Sequence, residues 1–198
     1  GLDALGHVTA ESLGNGVQVA SHYDTVHGWL LERTGGPGGG ASHQNLAYEW
    51  DVAGNLVRRR ERNGGVDESF TYDTLDRLDH VQRNGALTLD LAYDAVGNLT
   101  YKSDVGNYQY DTSRRNAVVS AGANKYGHDA NGAIVDANGT LIDWLSYDLP
   151  ARIQHPGGNY STFGYGPDRA RFLQLARAAG TVTETLYSAD GLFERVTT

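Results

Sequence analysis

The stretch Ala92-Tyr93-Asp94-Ala95-Val96-Gly97-Asn98-Leu99-Thr100 recurs in shortened form along nearly all of the 198-residue sequence, and a chain built this way folds by stacking copies of one unit. The copies begin at Tyr23-Asp24, Trp50-Asp51, Tyr72-Asp73, Tyr93-Asp94, Tyr110-Asp111, His128-Asp129, Tyr147-Asp148, Tyr165-Gly166 and Tyr187-Ser188. Apart from one longer gap, successive starts lie roughly twenty residues apart, a period typical of stacked supersecondary units. Short repeats favour one elongated array over residues 1–198 rather than two separate globules.

Six residues after each start an apolar side chain usually returns: Trp29, Leu56, Leu78, Leu99, Ile134, Ile153 and Phe193, with Asn116 and Arg171 as exceptions. Two residues before the start another apolar or aromatic residue is common, as at Tyr48, Phe70, Leu91, Tyr108, Tyr126, Leu145 and Phe163. Alternation at period two predicts strands. Between the anchors lies Asp-x-x-Gly, in Asp51 to Gly54, Asp94 to Gly97 and Asp129 to Gly132. Asp at the first turn position accepts hydrogen bonds from backbone N–H groups two or three residues on, and Gly supplies a positive φ. Each repeat is therefore strand, turn, strand. The ring of the starting Tyr is expected beside the returning Leu or Ile, with its hydroxyl free to find a polar partner.

Gln18 to Asp24 alternates and ends on the first turn, whereas the glycine tract Gly35 to Gly40 predicts a long loop, an insertion over residues 35–42 that explains the longer gap. Asn63-Gly64-Gly65, Asn84-Gly85 and Gly106-Asn107 are expected as turns at the opposite ends of the hairpins. Pro167 to Ala179 holds helix-compatible residues, but its alternation and the strand-like Thr181 to Tyr187 favour a hairpin turning at Ala178-Ala179-Gly180-Thr181. Nine units imply on the order of eighteen strands, more than an open twisted sheet carries without curling. The expectation is an all-β protein of antiparallel hairpins in one long, coiled sheet, a curved wall rather than a compact globule.

The net charge of −8 argues against a nucleic-acid backbone or a polybasic membrane anchor as partner, and no apolar run is long enough to span a bilayer as a helix. Without cysteine there is neither a disulfide nor a thiolate metal site. The lack of methionine, even at position 1, points to a piece of a longer chain.

The Tyr-Asp-x-x-Gly-Asn/Arg-Leu pattern, as in Tyr93 to Leu99 and Trp50 to Leu56, resembles the YD repeats of bacterial Rhs proteins, and Tyr165 to Arg169 through Leu192 to Val196 resembles the late repeats (163–198) of an Rhs core. The resemblance covers roughly residues 17 to 198, with departures at His128, Gly166 and Ser188. It implies a spiralling β-sheet shell that encloses a polymorphic toxin or the toxic component of a Tc complex; related repeats in teneurins build an adhesion barrel. It further implies flanking repeats of the same parent and an enclosed effector polypeptide as partners, no cofactor, delivery outside the producing cell, and activity residing in other segments.

No catalytic constellation is present: there is no Gly-x-Ser-x-Gly elbow, His-Glu-x-x-His helix or phosphate-binding Gly-Lys loop. His22 and His27 flank Asp24, but their odd separation puts the imidazoles on opposite faces of a strand, against a metal site. Asp129 to Gly132 and Asp136 to Gly139 lack the length and terminal Glu of a calcium loop, so the turn is the better reading. Trp29, Trp50, Trp144, Tyr101 and Tyr160 are candidates for stacking on glycan rings, against the favoured alternative that they pack between neighbouring hairpins. The leading expectation is a non-enzymatic shell segment; its rival is a carbohydrate- or cell-surface-binding module.

Overall fold

The computed structural model describes residues 1–188 and 194–198, and these form strands, turns and bends with no helix. The chain divides into two compact units, Gly1–Asp104 and Val105–Thr198. The first holds β1 (Ala10–Ser12), β2 (Val17–Tyr23), β3 (Leu30–Pro37), β4 (Gln44–Trp50), β5 (Leu56–Glu61), β6 (Val66–Tyr72), β7 (Leu78–Arg83), β8 (Ala86–Tyr93) and β9 (Leu99–Lys102). The second holds β10 (Gly106–Tyr110), β11 (Val118–Ala121), β12 (Asn124–His128), β13 (Ile134–Ala137), β14 (Thr140–Trp144), β15 (Pro150–Gln154), β16 (Tyr160–Tyr165), β17 (Arg171–Ala178), β18 (Thr181–Tyr187) and β19 (Glu194–Thr197). Within each unit every strand pairs antiparallel with the next in the chain.

The repeat has a fixed local geometry. In the Tyr93 copy, Tyr93 pairs with Leu99 while Ala92 pairs with Tyr101, leaving Thr100 as a bulged extra residue. The same one-residue shift falls at Tyr23, Trp50, Tyr72, Tyr110, His128, Trp144 and Tyr165. A bulge increases local twist and re-aims the side chain beside it, here always the ring. The opposite ends close tightly: Asn84 (φ 51°) and Gly85 (φ 78°), and Asn138 (φ 54°) and Gly139 (φ 82°), both have the paired positive φ of a two-residue hairpin turn.

Paired residues share a face of a pleated sheet, so the register sorts the side chains. In the first unit one face carries Tyr48, Phe70, Tyr72, Val81, Leu89, Leu91 and Tyr93, and the other carries Glu32, Glu49, Arg58, Arg60, Asp67 and His80. Only small or medium residues are buried among those described: Ser21, Gly35, Gly36, Ala47, Leu91, Ala121 and Thr185. The apolar face is covered by rings and long side chains of neighbouring repeats rather than by a second layer.

Several expectations are corrected. Gly35, Gly36 and Pro37 belong to β3, and Gly35 and Gly36 are buried; Gly35 pairs with Val19 on one side and Gln44 on the other. The tract holds a strand because the backbone is paired on both sides and the chain passes close to itself: a Cβ on Gly36 would lie 2.6 Å from the Gly40 carbonyl oxygen. Gly106 and Asn107 open β10, with the turn at Ser103 to Val105 before them. The first turn is one residue longer than expected, so Leu30 rather than Trp29 pairs with Tyr23, and the turn after Tyr110 extends to Val118, past Asn116. The expected return at Phe193, with Leu192, lies outside the described residues.

The largest correction concerns Tyr147 and Asp148. Trp144 pairs with Pro150, Leu145 N–H donates to Leu149 O, and Asp148 N–H donates to Leu145 O. These bonds reproduce those of Tyr93-Asp94-Ala95-Val96-Gly97-Asn98-Leu99, so Trp144 is the ring that starts this repeat and Asp148 occupies the glycine position. Tyr147-Asp148 matched the pair of letters, but the short β13–β14 hairpin brings the bulge three residues earlier; Ile153 pairs instead with Ile142. A hairpin also precedes the first recognised copy: Leu2 bridges Val8 around Asp3 to His7, an Asp-x-x-Gly turn whose ring position is occupied by Leu2. The segment 171–187 is the favoured hairpin.

Asp148 sits at φ 62°, is exposed, and takes the place that Gly97 fills at φ 95°. Asp148→Gly is expected to stabilise the chain by about 0.5–1 kcal/mol by removing αL strain, measured by urea denaturation at pH 7. A loss of stability would restore Asp148 to the first turn position.

Candidate functional site: a ladder of turns and aromatic tips

Each Asp-x-x-Gly turn is wired by its own carboxylate. Asp51 Oδ1 accepts from the N–H groups of Ala53 (2.9 Å) and Asn55 (2.8 Å), and Oδ2 accepts from Asn55 Nδ2 (3.0 Å). Asp94 repeats this with Val96 and Asn98, and Asp73 with Leu75 and Arg77, whose Nε reaches Oδ2 at 2.7 Å. Asp129 Oδ1 accepts from Asn131 and Ala133, and Asp3 Oδ1 from Leu5 and His7. The donors are thus two and four residues on, rather than two and three, because the turn is a β-turn closed by a bulge. In the longer turns Asp24 Oδ2 accepts from His27 N–H (2.6 Å), and Asp111 Oδ1 from Ser113 and Arg114 N–H (both 2.8 Å). Gly54, Gly97 and Gly132 take the αL position at φ 91°, 95° and 90°.

These bonds favour the carboxylate form. The backbone bond from Asn55 lowers Asp51, the Arg77 side chain lowers Asp73, and the His27 backbone bond lowers Asp24. Partial desolvation works to raise Asp94, yet the bonds from Asn98, Val96 and Gly97 outweigh it and its pKa is also lowered. Asp111, bonded first by the Ser113 hydroxyl and then by the Arg114 and Ser113 N–H groups, is lowered to about 2.

The ring at the end of each repeat ties it to the one before. Tyr23 Oη donates to Val8 O (3.2 Å), Trp50 Nε1 to Leu30 O (2.8 Å), Tyr72 Oη to Leu56 O (2.8 Å) and Tyr93 Oη to Leu78 O (2.9 Å). In the second unit Trp144 Nε1 donates to Ile134 O (2.8 Å) and Tyr165 Oη to Pro150 O (2.9 Å). The register explains the regularity: the residue two after each acceptor pairs with the residue three before each ring, as in His80 with Asp90 and Arg58 with Ser69. Tyr187 follows a hairpin of different register and bonds Gln174 Oε1 instead (3.1 Å).

A second set of links runs forward from the residue four after the turn Asp. Asn55 Nδ2 reaches Asp76 Oδ1 at 3.0 Å, and Arg77 Nη1 reaches Asp94 O at 3.1 Å with its guanidinium 4.5 Å from the centre of the Tyr93 ring. His7 bonds Asp3 and stacks on Tyr23 at 4.7 Å. Sequence reasoning had this position in the Tyr-Asp-x-x-Gly-Asn/Arg-Leu pattern but gave it no role; the signal was the recurrent Asn, Arg or His immediately before the returning apolar residue. It also missed the opposite, charged face, where Arg58 meets Asp67, Arg60 meets Glu49 and Arg62 meets Glu32 in exposed pairs worth little each.

Of the candidate stacking aromatics in the first unit, Trp29 and Trp50 come together. Trp29 lies against His27 (4.2 Å, near parallel) and beside Trp50 (6.0 Å), packed over Gly54. Tyr101 pairs with Ala92 on the charged face of the first unit. In the second unit Trp144 is committed to Ile134, and Tyr160 lies under the Arg152 guanidinium (4.8 Å) on the other face. His22 projects from β2 opposite Glu32, while His27 Nδ1 bonds Asp24 Oδ2 at 2.8 Å. Among the described residues no three His, Asp or Glu side chains form a group able to hold a metal ion.

A one-layer array of bulged antiparallel hairpins, linked ring to carbonyl, defines the class: an all-β hairpin-repeat protein. Its fold is that of solved Tc toxin assemblies. The Photorhabdus luminescens Tc holotoxin pore is similar over 94% of this chain at TM-score 0.70 and 18% identity. The crystal structures of TcdB2-TccC3-TEV and TcdB2-TccC3 are similar over 95% and 94% of this chain at TM-scores 0.68 and 0.64 and identities of 19% and 17%. The chain spans 11% to 12% of the length of those chains. No protein-family model and no curated protein matches the sequence.

Tyr93→Phe keeps the ring and removes the bond to Leu78 O; it is expected to cost about 1 kcal/mol in urea denaturation, with Tyr93→Ala costing about 3 kcal/mol or more. Because Asp24, Asp51, Asp73, Asp94 and Asp111 have folded pKa values below their unfolded ones, their contribution is fully present above about pH 5 and is lost as the pH falls through 4 toward 2. Thermal melts from pH 7 to pH 2 are expected to be flat to about pH 5 and then drop, and Asp111→Asn is expected to shallow the drop.

Proposed function

We propose that this chain is a non-enzymatic segment of an Rhs-type YD-repeat shell, whose role is to wall off an effector polypeptide carried by the same parent protein. The observation that carries the reading is the ring-to-carbonyl ladder: it joins each hairpin to its neighbour and leaves the individual hairpin without a core of its own. Such a structure is useful as wall, and its partners are the next repeats and whatever the wall faces. The likeness in fold to Tc toxin structures supports the same role.

The division of faces fits enclosure. In the first unit most rings lie on one face, together with the Arg59–Glu68 and Arg33–Glu11 pairs, and the other face carries the Arg58, Arg60 and Arg62 ion pairs, so the two faces of such a sheet differ in chemistry. The described residues contain no helix long and apolar enough to cross a membrane, and delivery outside the producing cell is part of this proposal, not of the chain's own chemistry.

The test is protease protection in the parent protein. Digested in buffer with proteinase K, the enclosed polypeptide is expected to remain intact, and to be degraded once urea unfolds the repeats. Degradation at the same rate with the repeats folded would overturn enclosure, and a glycan array giving saturable binding to the 198-residue chain would favour the binding-module reading instead.

A further inference from the structure

The Asp-started turns close one end of the hairpins of the first unit, and their crests are apolar. Leu5, Val26, Val52, Leu75 and Val96 stand on five successive turns and are 61% to 102% exposed, which makes them five of the six most exposed large apolar side chains among the described residues. The sixth, Leu2, flanks the first of these turns. The N–H groups of Leu5, Leu75 and Val96 are held by the turn carboxylates, so the backbone beneath each crest is fixed.

The turn itself does not require an apolar crest. Ser113 and Asn131 take the same place in the second unit, with their N–H groups bonded in the same way to Asp111 and Asp129. At the opposite ends of the first unit's hairpins the turns are built from Asn63-Gly64-Gly65 and Asn84-Gly85. Apolar crests are therefore a property of one edge of one unit, and a contiguous apolar patch on a surface marks a place where something docks.

The crests form one row. A Cβ on Gly28 would lie 2.8 Å from the His7 ring, Gly54 packs on Trp29, Asn55 bonds Asp76 and Arg77 bonds the Asp94 carbonyl, so each turn abuts the next. Two strands separate neighbouring crests, a spacing of about 10 Å. An α-helix returns a side chain to the same face every seven residues, about 10.5 Å along its axis. Sheet twist limits a straight helix to adjacent crests, and Val52, Leu75 and Val96 belong to the three turns bonded in series.

Charge decides the kind of partner. The five turns, residues 3–7, 24–29, 51–55, 73–77 and 94–98, hold six Asp against a single Arg, Arg77, in a chain of net charge −8. Asp51 and Asp94 accept from backbone N–H groups and an Asn amide, which hold the carboxylates without neutralising them. The same bonds lower their pKa, so both are charged at neutral pH. A second copy of this edge would bring like charge against like, whereas a cationic partner gains from it.

We propose that the turn edge of the first unit docks a basic amphipathic helix of a partner polypeptide, its apolar stripe covering Val52, Leu75 and Val96 and its Lys or Arg side chains facing Asp51, Asp76 and Asp94. The edge belongs to neither face of the sheet, so this docking does not depend on whether the wall encloses an effector.

The probe is a peptide of three heptads with Leu at the first and fourth positions and Lys and Ala elsewhere. Isothermal titration into the 198-residue chain at about 50 mM salt is expected to give saturable one-to-one binding with a Kd on the order of 10 μM. The same composition in scrambled order, which presents no stripe, is expected to bind at least about tenfold more weakly, and a peptide with Glu for Lys not measurably. The triple variant Val52→Ser, Leu75→Ser, Val96→Ser keeps every charge and is expected to weaken binding at least about tenfold with an unchanged melting temperature. Equal binding of the scrambled peptide, undiminished binding to the triple variant, or no saturation up to about 1 mM would overturn the proposal. A dimer of the chain alone in sedimentation, dissolved by the triple variant, would overturn it too and assign the edge to a second copy. Should the triple variant fail to fold by circular dichroism, Leu75→Ser alone is expected to weaken binding about threefold, and no change overturns the proposal equally.

Discussion

The structure depends on one hydrogen bond repeated along the chain, from the polar tip of a Tyr or Trp to the backbone carbonyl of the returning residue one repeat earlier. A strand pair carries its own ladder bonds, but the carbonyl at the bulge falls outside that ladder and, on the ring-lined side of a thin sheet, needs a partner. The ring answers both needs. Its body covers the apolar returning residues of two neighbours and its tip satisfies the orphan acceptor, which is why Tyr and Trp are interchangeable here and Phe is absent from the described ring positions.

The turn makes that bond repeatable. Asp51, Asp73 and Asp94 each hold the same two N–H groups and are met by the side chain four places on, and of these Asn55 and Arg77 also reach toward the next turn. Ring and turn therefore act in opposite directions along the array, one tying a repeat backward and one tying it forward. Stability in such an array is a sum over neighbours, so a defect in one repeat weakens two interfaces and leaves the rest intact.

The Asp-x-x-Gly turns, the hairpin order and the all-β class were legible in the sequence because their causes are local: an Asp that bonds N–H groups within four residues and a Gly that accepts positive φ act wherever they occur. The tertiary structure decided what depends on pairing. Gly35 and Gly36 became strand because β2 and β4 flank that part of the tract, while Gly38 to Gly40 stayed in the turn, and Trp144 rather than Tyr147 became the starting ring because the β13–β14 hairpin is short. A Tyr-Asp pair is a local signal; its place in the ladder is set by the register of strands a full repeat away, and the sequence of one repeat does not contain that distance.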